Sequence, residues 1–184
     1  LGDVYKRQSL LNGNSREIEA ALQEHRIDLG LVEGICRLPN LRYTTFLQDE
    51  LVAVVHTGSK LSLPDEITPE DLSRIPLVLR ERGSGTLDVF ERALSEHNMK
   101  LSSLNVLLYL GSTESIKLFL EHTDCIGIVS IRSISRELLS GTFRVIEIKG
   151  MPMLREFCFA QPQGQESGLS QVLMQFAIHH NKKL

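Results

Sequence analysis

The sequence predicts an α/β fold, because short apolar runs that read as buried strands alternate with segments whose apolar residues recur at helical spacing. Three of the strand runs end in small polar turns that open the next helix. Composition agrees: 184 residues, 42% hydrophobic and 23% charged, suit one domain or two small lobes sharing a chain that passes between them.

Residues 1–8 (LGDVYKRQ) carry neither alternation nor a helical stripe and read as terminal or junction sequence without functional weight. Residues 9–11 read as a strand end. Asn14 and Glu17 have the spacing of an N-cap box, and Ile18, Ala21, Leu22 and His25 line the helix that follows. Residues 27–32 (IDLGLV) form a short apolar strand ended by Glu33 and Gly34. Residues 36–48 read as irregular, and residues 49–56 (DELVAVVH) as a further strand. Polar chain and a short helix at residues 69–73 lead to the stretch that organises the rest, residues 75–97.

That stretch, IPLVLRERGSGTLDVFERALSEH, is an apolar strand, then Gly83, Ser84, Gly85 and Thr86, then Leu87, Phe90, Ala93 and Leu94 on one helix face. Such a turn places unbonded N–H groups and the positive helix pole beside glycines that admit a ligand. The Ser84 and Thr86 hydroxyls can cap the helix or bind. The pattern returns at residues 105–110, where NVLLYL turns through Gly111, Ser112 and Thr113 into a helix with Ile116, Phe119 and Leu120. It returns again at residues 125–129, followed by Ser130, Ile131, Arg132 and Ser133. Three such ends are expected to converge on the carboxyl edge of a largely parallel sheet, where open α/β sheets bind ligands. The next helix turns Ile134 and Leu138 inward and ends at Gly141. Residues 143–148 alternate as an edge or crossing strand, residues 149–152 interrupt it, and residues 156–160 form a last strand. Leu169, Val172, Leu173, Phe176 and Ala177 line a C-terminal helix.

A formal charge of −3 and the absence of any Lys/Arg run argue against a nucleic-acid-binding surface in this segment. No stretch approaches the ~20 apolar residues of a membrane span. Three widely spaced cysteines, without C-x-x-C, fit a reduced cytoplasmic setting and behave as small buried hydrophobes. No Walker loop, dinucleotide fingerprint, hydrolase elbow or zinc spacing is present, and Glu33, Glu81, Asp88 and Glu114 show no acid–base pairing. The expectation is a binding site without catalytic machinery, metal or cofactor.

Several segments together resemble the effector-binding (substrate-binding) domain of LysR-type transcriptional regulators. They are IDLGLVEG; DELVAVVHTGSKLS, with Gly58-Ser59-Lys60 where the family usually has Pro; and the D-L-x-x-x-P-h-I approach at 71–78. The E-x-G-S-G-T turn at 81–86, G-S-T-E-S-I-K at 111–117 and the I-G-I-V-S strand at 126–130 complete the set, over roughly residues 9–176.

The resemblance implies two Rossmann-like lobes of the periplasmic-binding-protein type II kind, joined by two crossing strands near residues 74–76 and 149–152. Lobe one would be residues 1–74 plus 151–184, and lobe two residues 75–150. It implies an effector cleft faced by Gly83, Ser84, Gly85, Thr86, Ser112 and Thr113 from lobe two and by Glu33 and Gly34 from lobe one, with Ser130 and Ile131 near the rim. The effector is expected to be a small anion, given the helix N-termini and hydroxyls at the strand ends. A homodimer or homotetramer through this domain, and DNA contact only through an N-terminal helix-turn-helix outside this chain, are likewise implied. The family's domain opens with a strand, a Ser/Thr-rich turn and a helix that have no counterpart here, so the chain is expected to be a fragment. A free solute-binding protein of a transporter is the alternative on the same fold.

Overall fold

Local side-chain caps start three of the described α-helices. The computed structural model describes residues 9–33, 37–164 and 168–181. Helix α1 (Ser15–Gln23) opens on the expected box: Asn14 Oδ1 accepts from the Glu17 amide at 3.1 Å, and Glu17 Oε2 accepts from the Asn14 amide at 2.9 Å. Its Ile18 and Leu22 pack on Val32, Leu41, Cys158 and Ala160, a small core of its own. Residues 9–11, expected to end a strand, form none, and Leu10 is almost fully exposed. His25 lies beyond the helix in the left-handed region at φ 55°.

The sheet has eight strands: β1 (Gly30–Glu33), β2 (Leu41–His56), β3 (Glu66–Ile67), β4 (Leu77–Arg80), β5 (Val106–Leu110), β6 (Ile126–Ser130), β7 (Phe143–Ile148) and β8 (Met153–Pro162). Its main path runs β1-β8-β2-β6-β4-β5, with β7 on β2 and β3 on β7. The α/β class is as expected, but the sheet is mixed rather than largely parallel. Only β4 with β5 and β6, and β3 with β7, are parallel; β2 runs antiparallel to β6, β7 and β8, and β1 antiparallel to β8. The cause is β2, whose 16 residues reach across both halves of the sheet. β7 and β8 run back along it almost as one strand, interrupted at residues 149–152 as the sequence indicated.

The segment at 41–48, read as irregular, is the first half of β2, paired with residues 156–162 of β8 around a bulge between Thr45 and Leu47. Its second half, residues 51–55, pairs with Ser130–Ile126 of β6, and Ala53–His56 pairs with Ile146–Phe143 of β7. Residues 51–56, expected in lobe one, are thus paired with strands expected in lobe two.

The larger half is covered on both faces. Leu51, Ala53, Val55, Leu77, Leu79, Ile126 and Ile128 face Phe90 and Leu94 of helix α2 (Gly85–Glu96). Val54, Val78 and Val129 face Ile116 and Leu120 of helix α3 (Thr113–His122), with Ile134 just before helix α4 (Ser135–Leu139). Gly141 ends α4 with φ 72°, as its position suggested. Helix α5 (Gly168–Asn181) forms as expected, and Leu169, Val172, Leu173 and Phe176 on it are exposed.

Candidate functional site

Glycine at position 85 brings the two halves together. A Cβ there would lie 2.1 Å from the carbonyl oxygen of Glu33, so only hydrogen lets the first turn of α2 rest on the end of β1. The same contact continues through α1: the Arg16 amide donates to the Gly83 carbonyl at 3.4 Å, and the Arg16 guanidinium reaches Asp88 at 3.0 Å. Gly83 takes φ 93°, a left-handed turn that frees Ser84 to cap α2 by accepting from the Leu87 amide at 3.2 Å. Ser15 Oγ pins the Glu33 backbone, donating to its carbonyl at 2.7 Å and accepting from its amide at 3.1 Å.

At the centre stands Arg155, whose side chain is 3% exposed. It projects from β8 between buried Met153 and the half-buried ring of Phe157, over which its guanidinium lies at 4.8 Å. Nε and Nη2 each reach Asp49 Oδ2 at 2.7 Å, and Asp49 is fully buried. Nη1 pairs with Glu33 Oε2 and donates to Thr86 Oγ1 at 2.9 Å, while Thr86 Oγ1 donates to Glu33 Oε1 at 3.1 Å. Ser130 Oγ closes the network, donating to Asp49 Oδ1 at 2.8 Å and accepting from the Arg132 amide at 3.2 Å. Exposed Arg132 lies 3.9 Å from Asp49. The strand ends of β1 and β6 and the start of α2 therefore share one buried arginine, satisfied by charge-assisted bonds.

Of the expected site residues, Glu33, Gly83, Ser84, Gly85, Thr86 and Ser130 gather here. Gly34 lies outside the described residues. Ile131 starts a 3-10 turn and packs half-buried against the α3 side of the core. Ser112 and Thr113 are not drawn in. Ser112 caps α3, accepting from the Ser115 amide at 3.1 Å and facing the Ser115 hydroxyl at 2.8 Å, at the end of edge strand β5. Asp49 and Arg155 went unnoticed in the sequence. The signal was there: each is a charge on an inward strand position between apolar residues, where an ion must have a partner.

Beside this centre Glu81 is chelated by Arg80 at 2.9 and 3.1 Å. Burial works to raise its pKa, but Arg80, its own backbone amide and Asn14 together outweigh it and hold the carboxyl below its ordinary value. A separate pocket of about 500 Å³ lies at the far end of the smaller half, lined by Leu22, His25, Pro39, Asn40, Pro162 and Gln163. None of the expected site residues borders it. Among the described residues no cluster of His, Cys, Asp or Glu is placed to hold a metal ion, and no helix is long and apolar enough to cross a membrane.

Comparison with known proteins bears on the fold and the family. The regulatory domain of Synechocystis PCC6803 CcmR, solved in complex with 2-PG, superposes with a TM-score of 0.79 at 24% identity, over 93% of this chain and 81% of that one. An uncharacterized HTH-type transcriptional regulator of Escherichia coli K12, YeiE, is 33% identical over 136 residues, 74% of this chain and 45% of the relative. A phosphonates import ATP-binding protein, PhnC of Anaeromyxobacter dehalogenans, is 32% identical over 149 residues, 81% of this chain and 30% of that protein. The chain spans half or less of the length of these two relatives. The family model described as LysR substrate binding domain matches residues 7–182, and the chain belongs to that family.

Proposed function

We propose that this chain is the ligand-sensing domain of a LysR-type transcriptional regulator, and that a small anionic effector binds between its two halves. The observation that carries the reading is the Arg155 centre, where β1, β6, β8 and α2 present a guanidinium and the hydroxyls of Thr86 and Ser130 around one point. Gly83, Ser84, Gly85, Thr86, Glu33 and Ser130 form the effector wall, with Ile131 at its rim; Ser112 and Thr113 join it only when the halves change their angle. Lobe one consists of α1, β1 and the paired ends of β2 and β8 beyond Asp49; lobe two holds the remaining strands. The pairing of β2 with β6 and β7 supports this division. Effector binding shifts the angle between lobes and, through it, how a cytoplasmic homodimer or homotetramer holds DNA. DNA contact belongs to a helix-turn-helix domain of the whole regulator.

Calorimetry of the chain with small carboxylates and with sulfur and phosphate oxyanions tests this. Saturable binding of one of these classes is expected, and binding of uncharged apolar ligands alone overturns it. The similarity to an importer's ATP-binding protein favours a second reading, solute recognition for a transporter. The upstream reading frame separates them, with a helix-turn-helix for the regulator and an ATP-binding segment for the importer.

A further inference from the structure

We infer that the Glu33 carboxylate is a tethered stand-in for the effector's anion, occupying the place on Arg155 and Thr86 that the ligand takes over. The inference rests on the proposed effector site and adds how that site is kept closed without ligand. Arg155 divides its donors unequally. Nε and Nη2 go to Asp49, whose side chain is fully buried and also held by Ser130, so this pair is a permanent part of the sheet. Nη1 faces Glu33, whose side chain is 17% exposed and so within reach of solvent and ligand.

The Glu33 backbone is fixed by Ser15 on both its N–H and C=O, so the carboxylate can leave by side-chain rotation alone. Its departure leaves one Nη1 fork edge and the Thr86 hydroxyl vacant, with Arg155 and Asp49 still paired. An incoming carboxylate or oxyanion then replaces one negative charge by another and restores the same two bonds. An uncharged ligand has no such exchange to offer, because it leaves the second face of a buried guanidinium without its counter-charge. Glu33 thereby sets a threshold that selects anions and holds α2 against β1 until one arrives.

Calorimetric titration of the chain and its Glu33→Gln and Glu33→Gln/Arg155→Lys variants with inorganic phosphate, sulfate and malonate tests this, with circular dichroism confirming each fold. E33Q is expected to bind at least one anion about tenfold tighter than the parent, and the double variant to lose the gain. In the parent chain, the Glu33 side-chain carboxyl carbon resonance is expected to shift to saturation as that anion is added. Anion binding that E33Q leaves equal or weaker, or a Glu33 resonance unmoved by a bound anion, overturns the inference while the effector site stands. Binding confined to uncharged ligands overturns both.

Discussion

Asp49 and Arg155 stand directly opposite each other in the β2–β8 ladder, and the guanidinium closes on Asp49 Oδ2 through Nε and Nη2, both at 2.7 Å. A charge pair at such a position replaces the apolar cross-strand pair that a sheet interior normally carries. It sits two residues before Leu51, where the pairing of β2 with β6 begins.

Asp49→Ala takes the acceptor from Nε and Nη2 and leaves Glu33 as the remaining carboxylate on Arg155. It is expected to lower unfolding free energy by about 3 kcal/mol, because two charged donors are left unpaired in a buried site. Urea denaturation followed by circular dichroism measures this. A loss below about 1 kcal/mol, the range of an exposed pair, contradicts the assignment of a buried ion pair.

Gly85→Ala meets the Glu33 carbonyl, whereas Gly111→Ala meets nothing within 4 Å. The first is expected to cost about 1–3 kcal/mol as α2 is pushed from β1, and the second to stay within about 0.5 kcal/mol. Thermal unfolding of the two variants side by side reads the difference. Equal melting temperatures speak against close contact between these elements.

Glu19 supplies a pH-dependent term. Burial, with Asp88 adding to it, raises its pKa above the ordinary 4.5 despite the hydrogen bond that Tyr43 donates at 2.6 Å. A folded-state pKa above the unfolded one means this contribution is complete below about 4.5 and is lost as pH rises through the folded value. Glu19→Gln is therefore expected to gain melting temperature over the parent at pH 7 and to lose that advantage by about pH 4. An advantage independent of pH refutes the carboxylate as its source. Burial and the bond to Glu19 also push the Tyr43 phenol up to about 12.

Cys125 is buried, and burial, with Asp124 nearby, pushes its thiol up to about 11. The thiolate is the reactive form, so alkylation at pH 8 is expected to be slow in the folded chain and to rise to the rate of a free thiol in urea. Mass spectrometry of the labelled peptide settles it, and fast labelling of the native chain counts against a buried role.

Elements whose instructions are local were legible in advance. Asn14 with Glu17, Ser84 with Leu87 and Ser112 with Ser115 are caps closed within three residues; the first stands where the sequence put it, and for Ser84 capping was one of two roles read from its turn. The order of strands and helices was also readable, because burial on both faces of a sheet leaves unbroken apolar runs such as VAVV. The first half of β2 was missed because RYTTFLQ faces only a small core and carries polar residues through a bulge. The apolar face of α5 was legible but not its exposure: an apolar stripe states that a helix needs a partner, not where the partner is.

By itself the sequence determined the family, the alternation of strands and helices, the capped turns and most of the residues around the Arg155 centre. Only the tertiary structure decided that the sheet is mixed, that β2 pairs with β6, β7 and β8, and that Asp49, Arg155, Glu33 and Thr86 form one network. Asp49 and Arg155 are separated by 106 positions and Arg155 and Thr86 by 69. Local periodicity and capping act within a few residues along the chain, whereas a buried charge is satisfied by whatever the folded sheet brings beside it.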